Sequence, residues 1–121
     1  MAIPNIAIPI DFLTPDGRDI VKALGARLDS DKATQVVTGI RITFVGVGYM
    51  PLVVKLPDTP ENRKGMERIQ SLIKDGANCI DVRLKEPHSR IYAFISNGNL
   101  VSGVSVKASS FVIVDDETLD I

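Results

Sequence analysis

Residues 81–107 read DVRLKEPHSRIYAFISNGNLVSGVSVK, and their pattern decides the fold. Asn97-Gly98 is the pair that a two-residue type I′ hairpin turn demands, because both central residues need positive φ. It separates residues 90–96 from residues 99–107, and so short a loop fixes the register between them. Ser96 then faces Asn99, Ile95 faces Leu100, Phe94 faces Val101, Ala93 faces Ser102, Tyr92 faces Gly103, Ile91 faces Val104 and Arg90 faces Ser105. Side chains alternate across a strand. Ile91, Ala93, Ile95, Leu100, Val104 and Val106 are therefore expected to share a core face. The other face collects Arg90, Tyr92, Phe94, Val101 and Ser105, with Gly103 leaving space beside Tyr92 and Lys107 lying further along.

The residues just before agree with a third strand. Ile80, Val82 and Leu84 alternate with Asp81, Arg83 and Lys85, and Glu86-Pro87-His88-Ser89 reads as a tight connection. Pairing across that connection would set Lys85 near Arg90 and Arg83 near Tyr92, where a cation–π contact is available. Like charges directly opposite each other destabilise a sheet, so fold stability gives no reason to gather Arg83, Lys85 and Arg90. An anionic partner does. Cations beside rings on a strand surface suit phosphate pairing and base stacking. The structural alternative is that a helix over residues 60–75 covers this face and makes Tyr92 and Phe94 core residues.

Working outward, residues 36–47 form a long strand candidate. Ile40, Ile42 and Phe44 lie on one face and Arg41, Thr43 and Val45 on the other, with Gly39, Gly46 and Gly48 allowing a bend. Gly46-Val47-Gly48 is no phosphate loop, since Pro51 and another strand follow it instead of a helix. Residues 52–56 continue as a strand with Lys55 outward. Arg41 and Lys55 thus join the candidate contacts. Thr59-Pro60-Glu61 is a helix start with a capping hydroxyl, proline at the first position and an acid in the first turn. Met66, Ile69, Leu72 and Ile73 give its buried stripe, Lys74 and Gly76 its end, and Arg63, Lys64 and Arg68 a solvated face. Residues 3–12 alternate around Pro4 and Pro9, as an edge strand or an extended arm spanning about residues 1–13 does. Thr14-Pro15-Asp16 then predicts a helix over residues 16–28, with Ile20, Val21, Leu24 and Leu28 at helical spacing and Gly25 weakening it. Asp29-Ser30-Asp31-Lys32 is a polar turn that lacks the rest of a calcium-loop pattern.

A chain of 121 residues, 45% hydrophobic, is expected to be one domain with a sizeable core. It shows no transmembrane run and no secretory signal. The single cysteine, Cys79, excludes an internal disulfide and fits a reducing, cytoplasmic setting. Net charge is −1, yet 4 of the 15 acidic groups (Asp115, Asp116, Glu117 and Asp120) sit in a tail that ends at Ile121, and the rest of the chain carries 14 positive against 11 negative groups. That tail, residues 115–121, is either a frayed end or a short acidic tip offered to protein partners or to the chain's own basic face. His88 has no nucleophile or orienting acid beside it and reads as an exposed turn residue. No acid–base pair, metal-ligand spacing or cofactor motif appears, so a non-enzymatic protein without cofactors is expected.

The expected fold is mainly β with two helices (α+β): an OB-like curled antiparallel sheet or small barrel, or else an open antiparallel α+β sheet. The size, the bent glycine-containing strands, the Arg90-Tyr92-Phe94 stripe and the acidic ending resemble small single-stranded DNA-binding proteins of bacteria, phages and mobile elements. The resemblance covers roughly residues 36–121, without the aromatic-ended tip and long glycine- or proline-rich linker of bacterial members. It implies an OB barrel, a role in replication and sequence-tolerant binding of single-stranded DNA, with RNA the other substrate. The residues themselves leave two function classes open. One is a single-stranded nucleic-acid binder using Arg83, Lys85, Arg90, Tyr92, Phe94, Lys107, Arg41 and Lys55. The other is a structural subunit of a homo-oligomer or viral assembly, with the N-terminal arm and the aromatic face buried between chains.

Overall fold

The computed structural model describes residues 3–15, 17 and 19–114. Its elements run β1 (Ile3–Ile8), a 3-10 turn (Ile10–Leu13), β2 (Ile20–Ser30), β3 (Val37–Val45), β4 (Pro51–Leu56), α1 (Pro60–Lys74), β5 (Ile80–Lys85), β6 (His88–Ser96), β7 (Asn99–Lys107) and β8 (Ser110–Ile113). The eight strands form one sheet in the order β1-β6-β7-β4-β3-β2-β5-β8. Neighbours are antiparallel except β4 and β7, which are parallel. The architecture is mainly β with one α-helix, on a sheet curled into a half-barrel. The proline-bearing β1 is an edge strand, where missing ladder donors are tolerated.

Two expectations are corrected here. The predicted helix over residues 16–28 is the strand β2. Val21 and Ala23 are buried, and the register then slips between Ala23 and Gly25, so that Ala26 pairs with Ile42 and Leu28 with Ile40. A bulge inserts one residue and reverses which side chains face the core. That phase change converts a period-two strand into the spacing Ile20, Val21, Leu24, Leu28, which mimics a helix. Also, β5 does not pair with β6. Both its edges are occupied, by β2 and by β8, and Glu86, at φ 51, turns the chain away to begin a separate hairpin.

The core lies between α1 and the inner face of β2, β3, β5 and β8. Val21, Ile40, Ile42, Phe44, Val54, Ile69 and Val82 are fully buried there. Each such side chain contributes about 1.5–3 kcal/mol relative to exposure. The helix begins as its sequence requires, with the Thr59 hydroxyl accepting from the Asn62 N–H at 3.1 Å. Arg63 grips Asp58 through Nε and Nη2 at 2.6 and 2.9 Å. Those hydrogen bonds, and secondarily the charge of Arg63, hold the Asp58 carboxyl below its usual range. The contact's contribution is full above the ordinary carboxylate value and is lost as pH falls through the depressed one.

Because α1 covers only that half of the sheet, the expected core face of the β6–β7 hairpin is covered only at its base. Val106 is buried, whereas Ile91, Ile95 and Leu100 are 43%, 54% and 66% exposed. Tyr92 and Phe94 lie on the opposite, outer face, so α1 does not roof them.

Asn62, 1% exposed, joins the helix start to the strand after β7. Its Nδ2 donates to the Pro57 and Ser109 carbonyls at 2.9 and 3.1 Å. Asn62→Ala removes both hydrogen bonds of this buried amide and should cost about 1–3 kcal/mol. The check is the midpoint of urea unfolding, and an unshifted midpoint would contradict this role.

Candidate nucleic-acid interface

The outer face of the sheet is set by the alternation that sends Ile42, Val54 and Val106 inward. One residue away from each, register places four cationic side chains and a histidine side by side on five adjacent strands. Arg27 is opposite Arg41, Arg41 opposite Lys55, Lys55 opposite Lys107, and Lys107 opposite His88. Strands stand about 4.8 Å apart, so this row crosses the sheet over roughly 19 Å. Asp29 reaches the row, 3.8 Å from Arg41. Among the described residues no carboxylate lies within ion-pair distance of Lys55, Lys107 or Arg90. Each opposed pair of cations costs the sheet a few tenths of a kcal/mol to about 1 kcal/mol, offset at Arg41 by Asp29.

The rings adjoin the row. Arg90 lies one step along β6 from His88 on the same face, and Tyr92 and Phe94 follow at two-residue intervals. Tyr92 is opposite Gly103, as the hairpin turn predicted. A Cβ at Gly103 would stand 2.5 Å from the Tyr92 Oη, so glycine is what lets the phenol ring lie across β7. The Tyr92 and Phe94 rings are nearly parallel, 13° apart in plane with centroids separated by 6.2 Å. Phe94 is 45% exposed and Tyr92 half-buried. His88, Arg90, Tyr92, Ser105 and Lys107 line a groove of about 610 Å³. A smaller cleft of about 330 Å³ adjoins it, sharing Tyr92 and Ser105 and reaching Arg41 and Lys55.

Six of the anticipated contacts are thus brought together: Arg41, Lys55, Arg90, Tyr92, Phe94 and Lys107. Arg83 and Lys85 are not. Arg83 Nη1 donates to Asp19 Oδ2 at 3.1 Å, and its cross-strand neighbours are Ile20 and Val112. Lys85 ends β5 opposite Ser110. Neither stands opposite Arg90 or Tyr92, and the expected cation–π pair is not formed, because β5 belongs to the other half of the sheet.

Two contributors were missed by sequence reasoning. His88 is the first residue of β6, not a turn residue, and continuing the hairpin register past Arg90 would have placed it opposite Lys107. Arg27 was hidden by the helical reading of β2. The tail residues Asp115, Asp116, Glu117, Asp120 and Ile121 lie outside the described residues. Cys79 is exposed. Among the described residues no group of three or more His, Cys, Asp or Glu could hold a metal ion, and no helix is long and apolar enough to cross a membrane. The chain matches no protein-family model, no curated protein and no solved structure.

The close approach at Gly103 has a direct check. Gly103→Ala should displace the Tyr92 ring and shift its ring-proton resonances, leaving those of the only other tyrosine, Tyr49, in place. Unchanged Tyr92 resonances would mean that the ring does not rest on that glycine.

Proposed function

We propose that this chain binds single-stranded nucleic acid, DNA in the first instance, without catalysing a reaction. The observation that carries the reading is the basic row from Arg27 to His88, which the fold maintains against its own electrostatics. Phosphates lie along the row. Bases stack on Tyr92 and Phe94, each stack contributing about 1–3 kcal/mol. Base stacking asks for a ring and not for a particular base edge, so the binding tolerates sequence. The curled sheet with rings and cations on one face also supports the likeness to OB-type single-strand binders. A cytoplasmic setting, a place in replication or mobile-element processes, and recruitment of protein partners by the acidic tail belong to the same proposal.

Fluorescence anisotropy with labelled oligo-dT and oligo-rU tests it. Tyr92→Ala with Phe94→Ala should weaken oligo-dT binding at least tenfold while the chain stays folded, since two stacks of about 1–3 kcal/mol are removed. Equal affinity in the double variant would remove the rings from the site. Affinity should also fall with salt, by about 0.7 in log–log slope for each phosphate contact on a single strand. Lys55→Ala with Lys107→Ala should therefore flatten the slope by about 1.4. A slope identical to that of the unaltered protein would exclude the row.

A second reading, a subunit of a homo-oligomer, is favoured by the exposed Ile91, Ile95 and Leu100 on the opposite face of the hairpin. Light scattering distinguishes it: a stable oligomer that ignores oligonucleotides supports this reading and opposes the first.

A further inference from the structure

The parallel ladder between β4 and β7 is very short. Only Val54–Val106 and Lys55–Lys107 are paired, and beyond them the β3–β4 and β6–β7 hairpins part. The backbone shows which groups this leaves. In β3–β4, Gly46 N–H donates to the Met50 carbonyl at 2.7 Å. Alternate residues Leu52 and Val54 therefore bond to β3, and Pro51, Val53 and Lys55 direct their main-chain groups toward β7. The Ala108 N–H to Lys55 carbonyl bond, 3.1 Å, follows this pattern. On β7 the Asn97-Gly98 turn makes Asn99, Val101 and Gly103 the residues bonded to β6, so Ser102 and Val104 turn theirs toward β4. Beyond Val54 and Val106 no further pairs form, and the sheet opens into the 330 Å³ cleft, lined by Val53, Val104, Tyr92, Arg41 and Lys55 among others.

We propose that this split is a subsite for one unpaired nucleobase. The inference rests on the nucleic-acid reading above and adds what that reading lacks, a reason for preferring single strands over duplex. Val53 and the Tyr92 ring, which line the cleft from the outer face, take the flat faces of the base. The main-chain groups of Ser102 and Val104 meet its polar edge, and its phosphate stays outside on Lys55 and Lys107. A base already paired in a duplex cannot enter, because its partner and the second backbone would collide with the two hairpins. The cationic row alone makes no such distinction, since phosphates occur on both.

The experiment compares oligo-dT with a duplex of equal length, by anisotropy at low salt. In the variant Val53→Ile, a strand-compatible aliphatic side chain narrows the cleft without adding a ring or a charge. Single-strand affinity should drop about tenfold, the order of one base contact, while duplex affinity and its salt dependence stay as in the unaltered protein. In the unaltered protein, the methyl resonances of Val53 should shift on adding oligo-dT and not on adding duplex. Full single-strand affinity in the narrowed variant, or oligo-dT shifts confined to Tyr92 and Phe94, overturns the subsite and leaves the wider reading standing. Failure of the unaltered protein to bind any oligonucleotide overturns both.

Discussion

Two residue pairs, Val54–Val106 and Lys55–Lys107, join two antiparallel assemblies into one sheet. On one side stand β4, β3, β2, β5 and β8; on the other β7, β6 and β1. The junction sets an apolar pair against a repulsive one. Val54 and Val106 are 0% and 2% exposed, which is worth about 1.5–3 kcal/mol each. The Lys55–Lys107 opposition on the outer face costs at most about 1 kcal/mol. Burial wins, and the same register that buries the valines forces the lysines together. The basic row is thus a by-product of alternation, given the residue types at the outward positions. Only the choice of lysine and arginine there calls for a ligand.

What could be read without coordinates divides along the range of the interactions. The β6–β7 register was legible to the residue, because a two-residue turn at Asn97-Gly98 leaves no freedom. The start of α1 was equally plain in Thr59-Pro60-Glu61, since capping is local chemistry. β2 was misread because its bulge near Gly25 breaks the period of two and leaves apolar residues at helical spacing. The partners of β5, and the parallel contact of β4 with β7, depend on which edges remain free once the whole sheet has formed. No local pattern encodes that. The candidate site follows the same division. Arg90, Tyr92, Phe94 and Lys107 were placed together by the turn. Arg83 and Lys85 were assigned to them through a pairing that the sheet order forbids. The adjacency of Arg41, Lys55 and Lys107 emerged only from the long-range junction.

The asymmetric position of α1 explains the remaining character of the molecule. One helix is too narrow to cover the inner face of eight strands, so it seals the half containing β2, β3, β5 and β8 and leaves the β6–β7 hairpin apolar on one side and basic on the other. The exposed apolar side traces to that cause, and the basic side to the sheet's bare outer face. The hairpin is tied down at its base, where Val106 is buried and β1 flanks β6, while Ile95 and Leu100 near its tip meet solvent.

The junction also has a kinetic meaning. Residues 54 and 55 meet residues 106 and 107 across some fifty intervening positions, and contacts so distant along the chain slow folding because a large loop must close before they are rewarded. The hairpins on either side need only short loops and can form early. Neither of them alone carries more than part of the cationic row, so the charged surface comes into being at the step that unites them. A nascent chain halted before β7 would hold Arg27, Arg41 and Lys55 without Lys107, and so would lack the full cationic row until synthesis had passed Lys107.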